Sequence, residues 1–226
     1  MNRISVFMRT RNFATALRTN RSGTAFVEFA LCLPFLVTFS MAGAELTNFT
    51  TTKMRVSQLA LHVADNASRI GTGTLLSTKQ ISEAQINDLL TGAGLQAGGL
   101  NLYTNGRVIL SSLEPVANPN TTSKFRIRWQ RCRGSKSWPS SYGLQGATNL
   151  TGITANGQLI TAPDDGAVMF VEVAYNYQPL IASTFVPRTQ ITGIAAMTVR
   201  DARDMAGPGG GVGIYNTENV TASSCT

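Results

Sequence analysis

Arg21-Ser-Gly-Thr-Ala-Phe-Val-Glu-Phe-Ala-Leu-Cys-Leu-Pro-Phe-Leu-Val-Thr-Phe-Ser-Met-Ala-Gly-Ala44 decides how the rest of the chain is read. About twenty mostly apolar residues in a row make a helix long enough to cross the hydrocarbon core of a bilayer. One carboxylate, Glu28, stands inside the run, five positions after Gly23. Inserting an ionised carboxylate there costs about 3 kcal/mol on insertion scales, so such a residue marks a functional position by default. Pro34 removes one backbone hydrogen bond and is expected to kink the helix, which a membrane segment tolerates.

Upstream, residues 1–23 form a basic leader. Arg3, Arg9, Arg11, Arg18 and Arg21 precede the apolar run with no acid among them, which leaves +2 of the net +7 for everything after. An arginine-rich flank stays in the cytoplasm, so the orientation reads N-terminus inside and C-terminal part outside. The basic character belongs to this flank, and no nucleic-acid partner is expected.

Downstream, the helical pattern continues. Leu46, Phe49, Lys53, Val56, Ala60, Val63, Ala67 and Ile70 recur at spacings of three and four, which predicts an amphipathic extension over 45–70, closed by Gly71-Thr-Gly73. With the apolar segment 24–44 it would make one helix about 70 Å long.

The exported part, 71–226, reads as an α+β domain. Ser77 and Gln80 have capping-box spacing, and Ile81, Ala84, Ile86, Leu89 and Leu90 predict a short helix ending at Gly92. Strands are expected at Leu100 to Tyr103 and Arg107 to Leu113, joined by Asn105-Gly106 as a hairpin. Phe125, Ile127 and Trp129 alternate with Arg126, Arg128 and Gln130, which predicts a strand with one wet face. Residues 133–165 read as a long surface loop. Val168 to Tyr177 and Gln190 to Arg200 are further strands, and Gly207 to Gly211 opens a mobile tail. Turns between strands favour an antiparallel sheet.

Cys32 lies in the apolar run as a small hydrophobic residue. Cys132 and Cys225 both fall in the exported part, where an oxidising compartment permits a disulfide between them, free thiols being the alternative. The cluster of Arg126, Arg128, Arg131, Arg133 and Lys136 beside Trp129 and Trp138 could meet an anionic partner, but reads better as the solvated face of a strand. His62 has no second ligand at metal spacing, and the glycine run lacks the Lys-Ser/Thr of a phosphate loop. No catalytic constellation, metal site or cofactor motif emerges, and the chain is expected not to be an enzyme.

Gly23, followed by Thr24-Ala-Phe-Val-Glu28-Phe29 and an apolar helix, resembles the prepilin-peptidase site of type IV pilin-like proteins. More specifically, Arg21 to Leu31 resembles the start of the TadE-like pseudopilins of the bacterial tight-adherence (Tad) pilus. Val171-Glu-Val-Ala-Tyr175-Asn-Tyr177-Gln-Pro179-Leu180 and Ala195-Ala-Met-Thr-Val-Arg200 are similar to that family's sheet segments. The resemblance covers the N-terminal third well and the remainder loosely. It implies a single-pass minor pilin of the bacterial inner membrane, cut by prepilin peptidase between Gly23 and Thr24, that supports assembly of Flp-type adhesive pili. Its partners would be other pilin-like subunits and the Tad machinery. Glu28 would neutralise a subunit's new N-terminal amine, with Phe26, Phe29, Leu33 and Leu36 on the packing face. Thr24 and the 23-residue leader depart from ordinary type IV pilins, whose leaders are shorter. Two alternatives stand. Ala42-Gly-Ala44 satisfies the small-x-small rule of signal peptidase, and cutting there would release a periplasmic or secreted binding module from Glu45. An uncut signal-anchored protein is the other.

Overall fold

A computed structural model describes residues 22–74, 77–181, 184 and 190–225; the leader arginines fall outside them. The chain divides into two compact units, one up to Thr47 and one from Asn48. Helix α1 (Ser22–Arg69) supplies residues to both and continues through Pro34.

In the second unit, α1 buries Thr52, Val56, Leu59, Ala60, Val63, Ala64, Ala67 and Ser68. Of the expected stripe, Val56, Ala60, Val63 and Ala67 are buried. Lys53 and Leu46 are exposed, and Thr52 takes the inward position. The stripe is rich in alanine because the helix lies close to a sheet. A Cβ on Gly193 of that sheet would meet the Val56 carbonyl oxygen at 2.8 Å, so only glycine permits the approach.

The sheet has four strands in the order β2-β1-β5-β6, all antiparallel: β1 (Gly106–Pro115), β2 (Phe125–Arg133), β5 (Val168–Asn176) and β6 (Gln190–Thr198). Two further short strands, β3 (Ile153–Ala155) and β4 (Gln158–Ile160), form a hairpin of their own. Because strand side chains alternate between faces, β1 and β5 each feed two cores. Val108, Leu110, Trp129, Met169, Val171, Val173 and Tyr175 face α1 and α2 (Glu83–Ala97). Leu113, Phe125, Ile127, Val168 and Phe170 face the opposite way, under Ile153, Ala155 and Ala162. The fold is therefore α+β, a long helix on an antiparallel sheet.

Several local expectations give way to tertiary packing. The Ser-x-x-Gln spacing occurs twice, and the second copy is the cap. The Ser82 hydroxyl accepts from Gln85 N–H at 3.3 Å and the Gln85 side chain accepts from Ser82 N–H at 3.0 Å. Ser77 instead accepts from Thr74 N–H at 3.1 Å in a turn. Helix α2 continues past Gly92 because burial of Ala93 and Ala97 outweighs about 1 kcal/mol of glycine penalty. Gly94 has a packing role: a Cβ there would stand 2.5 Å from the Tyr103 ring.

Leu100 to Tyr103 is not a strand. A 3₁₀ turn (Gly98–Leu100) and the short helix α3 (Leu102–Asn105) put Leu100 and Leu102 into the core, and β1 pairs with β2 and β5. The Asn-Gly hairpin signal operates at Asn156-Gly157, where φ of 51° and 78° gives the left-handed pair that joins β3 to β4. This hairpin lies inside 133–165, the stretch read as a long surface loop.

The C-terminal segment is tied down. Ile214 joins the main core, and residues Arg203 and Tyr215 bridge Lys79 and Ser82. Arg203 donates to the carbonyls of Ala67 (3.1 Å) and Ile70 (2.8 Å), capping the C-terminal end of α1. Burial brings its pKa down to about 10, so it stays charged at neutral pH. Cys132 and Cys225 are joined by a disulfide that closes the segment onto β2.

Candidate functional site

Among the described residues of the first unit, the feature is the apolar half of α1. Between Gly23 and Met41 every residue is exposed. Phe26 (74%), Phe29 (56%), Leu33 (43%) and Leu36 (56%) stand at spacings of three and four and share a side of the helix. They do not stand apart from the rest: Val27, Leu31, Phe35, Val37, Phe39 and Met41 are also exposed, on the other sides. A helix apolar all round belongs in an apolar surrounding, whereas a stripe belongs against a core. The 22 residues from Gly23 to Ala44 would span about 33 Å, matching the hydrocarbon thickness.

Glu28 is exposed, about 100° around the helix axis from Phe29, so its carboxylate leaves the helix on a different side from the four named residues. Gly23 is exposed, with nothing within 4 Å of a Cβ built there. Ala42-Gly-Ala44 lies in mid-helix. Thr47 donates to the Gly43 carbonyl at 2.8 Å, and Glu45 is buried. Thr38 likewise donates to the Pro34 carbonyl at 2.7 Å. Cys32 is a free, exposed cysteine on this segment.

The arginine-rich strand was the other candidate. Buried Phe125, Ile127 and Trp129 alternate with half-buried Arg126 and Arg128, as the sequence led one to expect, and the arginines have partners within the chain. Arg131 and Glu83 form a nearly buried ion pair, with Nε donating to Oε2 at 2.9 Å and Nη2 to Oε1. Arg128 meets Glu114 at 3.4 Å and donates to the Gly211 carbonyl at 2.6 Å. Arg126 lies 3.8 Å from the same carboxylate. Arg133 donates to the Thr91 hydroxyl at 2.6 Å and stacks 5.3 Å over Tyr103. Burial raises the Tyr103 pKa to about 12.

Two carboxyls on the sheet are raised by burial. Glu114 is pulled back by the Ser112 hydroxyl, Arg128 and Arg126; Glu172 by the Ser140 hydroxyl and Ser141 N–H. The sequence signalled neither partner set, because Arg128 lies 14 positions from Glu114, and Ser140 and Ser141 lie 32 and 31 from Glu172.

His62 is exposed, and among the described residues no three His, Cys, Asp or Glu side chains converge as metal ligands. Two open grooves are about 430 Å³ beside β6 and 310 Å³ between α1 and the end of α2. Neither gathers a nucleophile with a base. No protein-family model, curated protein or solved structure matches the chain. The architecture is pilin-like: a long apolar N-terminal helix, its distal half on a four-stranded antiparallel sheet, and a C-terminal disulfide.

Proposed function

We propose that the chain is a membrane-anchored pilin-like subunit of the TadE-like kind, with a role in assembly of Tad (Flp) adhesive pili and no catalytic activity of its own. The carrying observation is the two-part helix α1: apolar and exposed on all sides up to Met41, then buried along one stripe from Thr52 to Ser68. The first part suits lipid or other apolar helices; the second anchors the domain. By the positive-inside rule the leader would stay in the cytoplasm and the domain would lie on the far side of the inner membrane.

In this reading prepilin peptidase cuts between Gly23 and Thr24, and the new amine of one subunit meets Glu28 of another. Pairing offsets the cost of holding a carboxylate at membrane depth and sets the axial register of neighbouring helices. Supporting it are the resemblance of Arg21 to Leu31 and the accessibility of both Gly23 and Glu28.

N-terminal sequencing of the protein from its membrane tests the reading. A start at Thr24 supports it. A start at Glu45 identifies a released module, and a start at Met1 an uncut anchor; either refutes it. Glu28→Ala should leave the membrane fraction unchanged while lowering assembled pili, and undiminished pili would remove the pairing role.

A further inference from the structure

Strand β5 runs back along the buried half of α1. It starts level with Ser68: Val199 N–H donates to the Ala167 carbonyl at 2.9 Å, and Arg200 N–H reaches the Ser68 carbonyl at 3.4 Å. Midway, Gly193 pairs with Val173 and lies against Val56. At the far end the Asn48 side chain donates to the Tyr177 hydroxyl at 2.6 Å, and the Phe49 ring meets the Tyr177 ring edge-on at 5.1 Å. From Ala167 to Tyr177 the chain therefore passes α1 in reverse, from Ser68 to Asn48, and leaves the sheet at the Asn48 end.

Tyr177 itself is buried, but the four residues after it are exposed. Gln178-Pro-Leu-Ile181 carries no charge, and its two large aliphatic side chains are 67% exposed at Leu180 and 39% at Ile181. One exposed leucine is ordinary on a protein surface. What distinguishes this pair is its level along α1.

Asn48 stands four residues past Ala44, about 6 Å of helix. The headgroup layer outside the hydrocarbon core is about 5–7 Å deep on each side. With Gly23 to Ala44 across a bilayer, Asn48 and Tyr177 lie at the outer boundary of that layer. The three residues from Tyr177 to Leu180 reach up to about 10 Å further. A tyrosine with a polar tip, followed by neutral aliphatic side chains, suits the boundary between lipid and water.

We propose that Leu180 and Ile181 insert into the interfacial layer of the bilayer that α1 spans, so that the domain meets the lipid surface at a second point. The inference rests on the reading of α1 as a membrane span. A lone helix leaves its domain free to tilt; an aliphatic turn seated in the headgroup layer holds the domain against the bilayer.

The test is fluorescence quenching by spin-labelled lipid, with the full chain in vesicles of phosphatidylethanolamine and phosphatidylglycerol. Leu180→Cys, Ile181→Cys, Leu95→Cys and Phe35→Cys, each on a Cys32→Ala background, take an environment-sensitive thiol probe. Labelling without reductant leaves the Cys132–Cys225 disulfide closed. Leu95 is the control: it is 79% exposed and precedes Gln96, which lines a groove with His62, eighteen residues past Ala44. Probes at positions 180 and 181 should be quenched by a headgroup-proximal spin label roughly threefold or more over the probe at 95. The probe at 35 should be quenched by an acyl-chain label. Quenching at 180 and 181 no greater than at 95, with the probe at 35 quenched, would overturn this contact and leave the membrane span standing. An unquenched probe at 35 would overturn the span, and the contact with it.

Discussion

The Arg131–Glu83 pair joins the N-terminal turn of α2 to strand β2, and its side chains are only 8% and 7% exposed. Replacing Glu83 by Leu leaves the guanidinium with the Gln130 carbonyl (2.9 Å) and the Gln145 amide oxygen (3.3 Å), but no counter-charge. Leaving one member of a buried ion pair alone costs about 3–5 kcal/mol. Loss of an acid from the first turn of α2 adds about 0.5 kcal/mol through the helix dipole. At a urea m-value of about 2 kcal/mol/M, the midpoint should fall by roughly 2 M. Arg131→Met should cost a similar amount, because it strands the carboxylate instead. The double variant should lie within about 1 kcal/mol of the parent, since removing both charges also removes the desolvation penalty. Trp129 is 2% exposed and two residues away, so its fluorescence in full-length protein in detergent follows unfolding of this region. A Glu83→Leu midpoint within about 0.3 M of the parent would refute the buried-pair account, because a solvated pair is worth at most about 1 kcal/mol.

Other consequences follow from the same packing. Gly193→Val places carbon 2.8 Å from the Val56 carbonyl oxygen and should cost about 1–3 kcal/mol in the same unfolding assay; an unchanged midpoint would show that α1 does not lie against β6. Arg203→Met removes the cap on the Ala67 and Ile70 carbonyls and should speed amide hydrogen exchange in the last turn of α1 while that of β5 is unchanged. Glu172 gives a pH dependence. Burial raises its folded pKa above the ordinary 4.5, so the unfolded chain ionises first and stability declines as pH rises from 4.5 through the folded value. Glu172→Gln should flatten that slope, and parallel curves for variant and parent would exclude the assignment.

The parts of this fold that are legible in sequence are those written as periodicity. Strands β5 and β6 announce themselves by β-branched and aromatic runs, and the buried half of α1 by its three-and-four spacing. The stripe departs from expectation at Leu46 and at Lys53, the latter because Lys53 and Thr52 are neighbours and only the sheet decides which turns inward. Asn105-Gly106 and Asn156-Gly157 carry the same dipeptide. The second became the hairpin because burial of Leu102 held the first beside a helical turn. The fate of the arginines was illegible for another reason: an ion pair across 48 residues leaves no local signature. The C-terminal segment was read as mobile apart from the Cys132–Cys225 disulfide that the sequence allowed, since Arg203 and Ile214 hold it as isolated anchors with no repeating pattern. For the candidate site the order is reversed. Gly23, Thr24 and Glu28 are a motif in the sequence, to which the fold adds a continuous helix and exposure.

The exposed half of α1 carries the strongest energetic argument in the molecule. Phe26, Val27, Phe29, Leu31, Leu33, Phe35, Leu36, Val37, Phe39 and Met41 are between 38% and 75% exposed. Leaving that surface in water would forgo on the order of 10–20 kcal/mol relative to covering it. A typical domain has about 5–15 kcal/mol of total stability, so an aqueous surrounding for this segment is untenable. A protein face could cover one side only, because the apolar residues circle the axis. A medium that meets the helix from every direction, lipid or a bundle of like helices, would cover it whole. In the proposed reading Glu28 would be neutralised inside that medium, with the leader on its cytoplasmic side. The same energetics predict that Phe29→Lys with Phe35→Lys should release the protein from the membrane fraction, whereas Glu28→Ala should not; retention of the double lysine variant would mean that α1 is covered by protein instead.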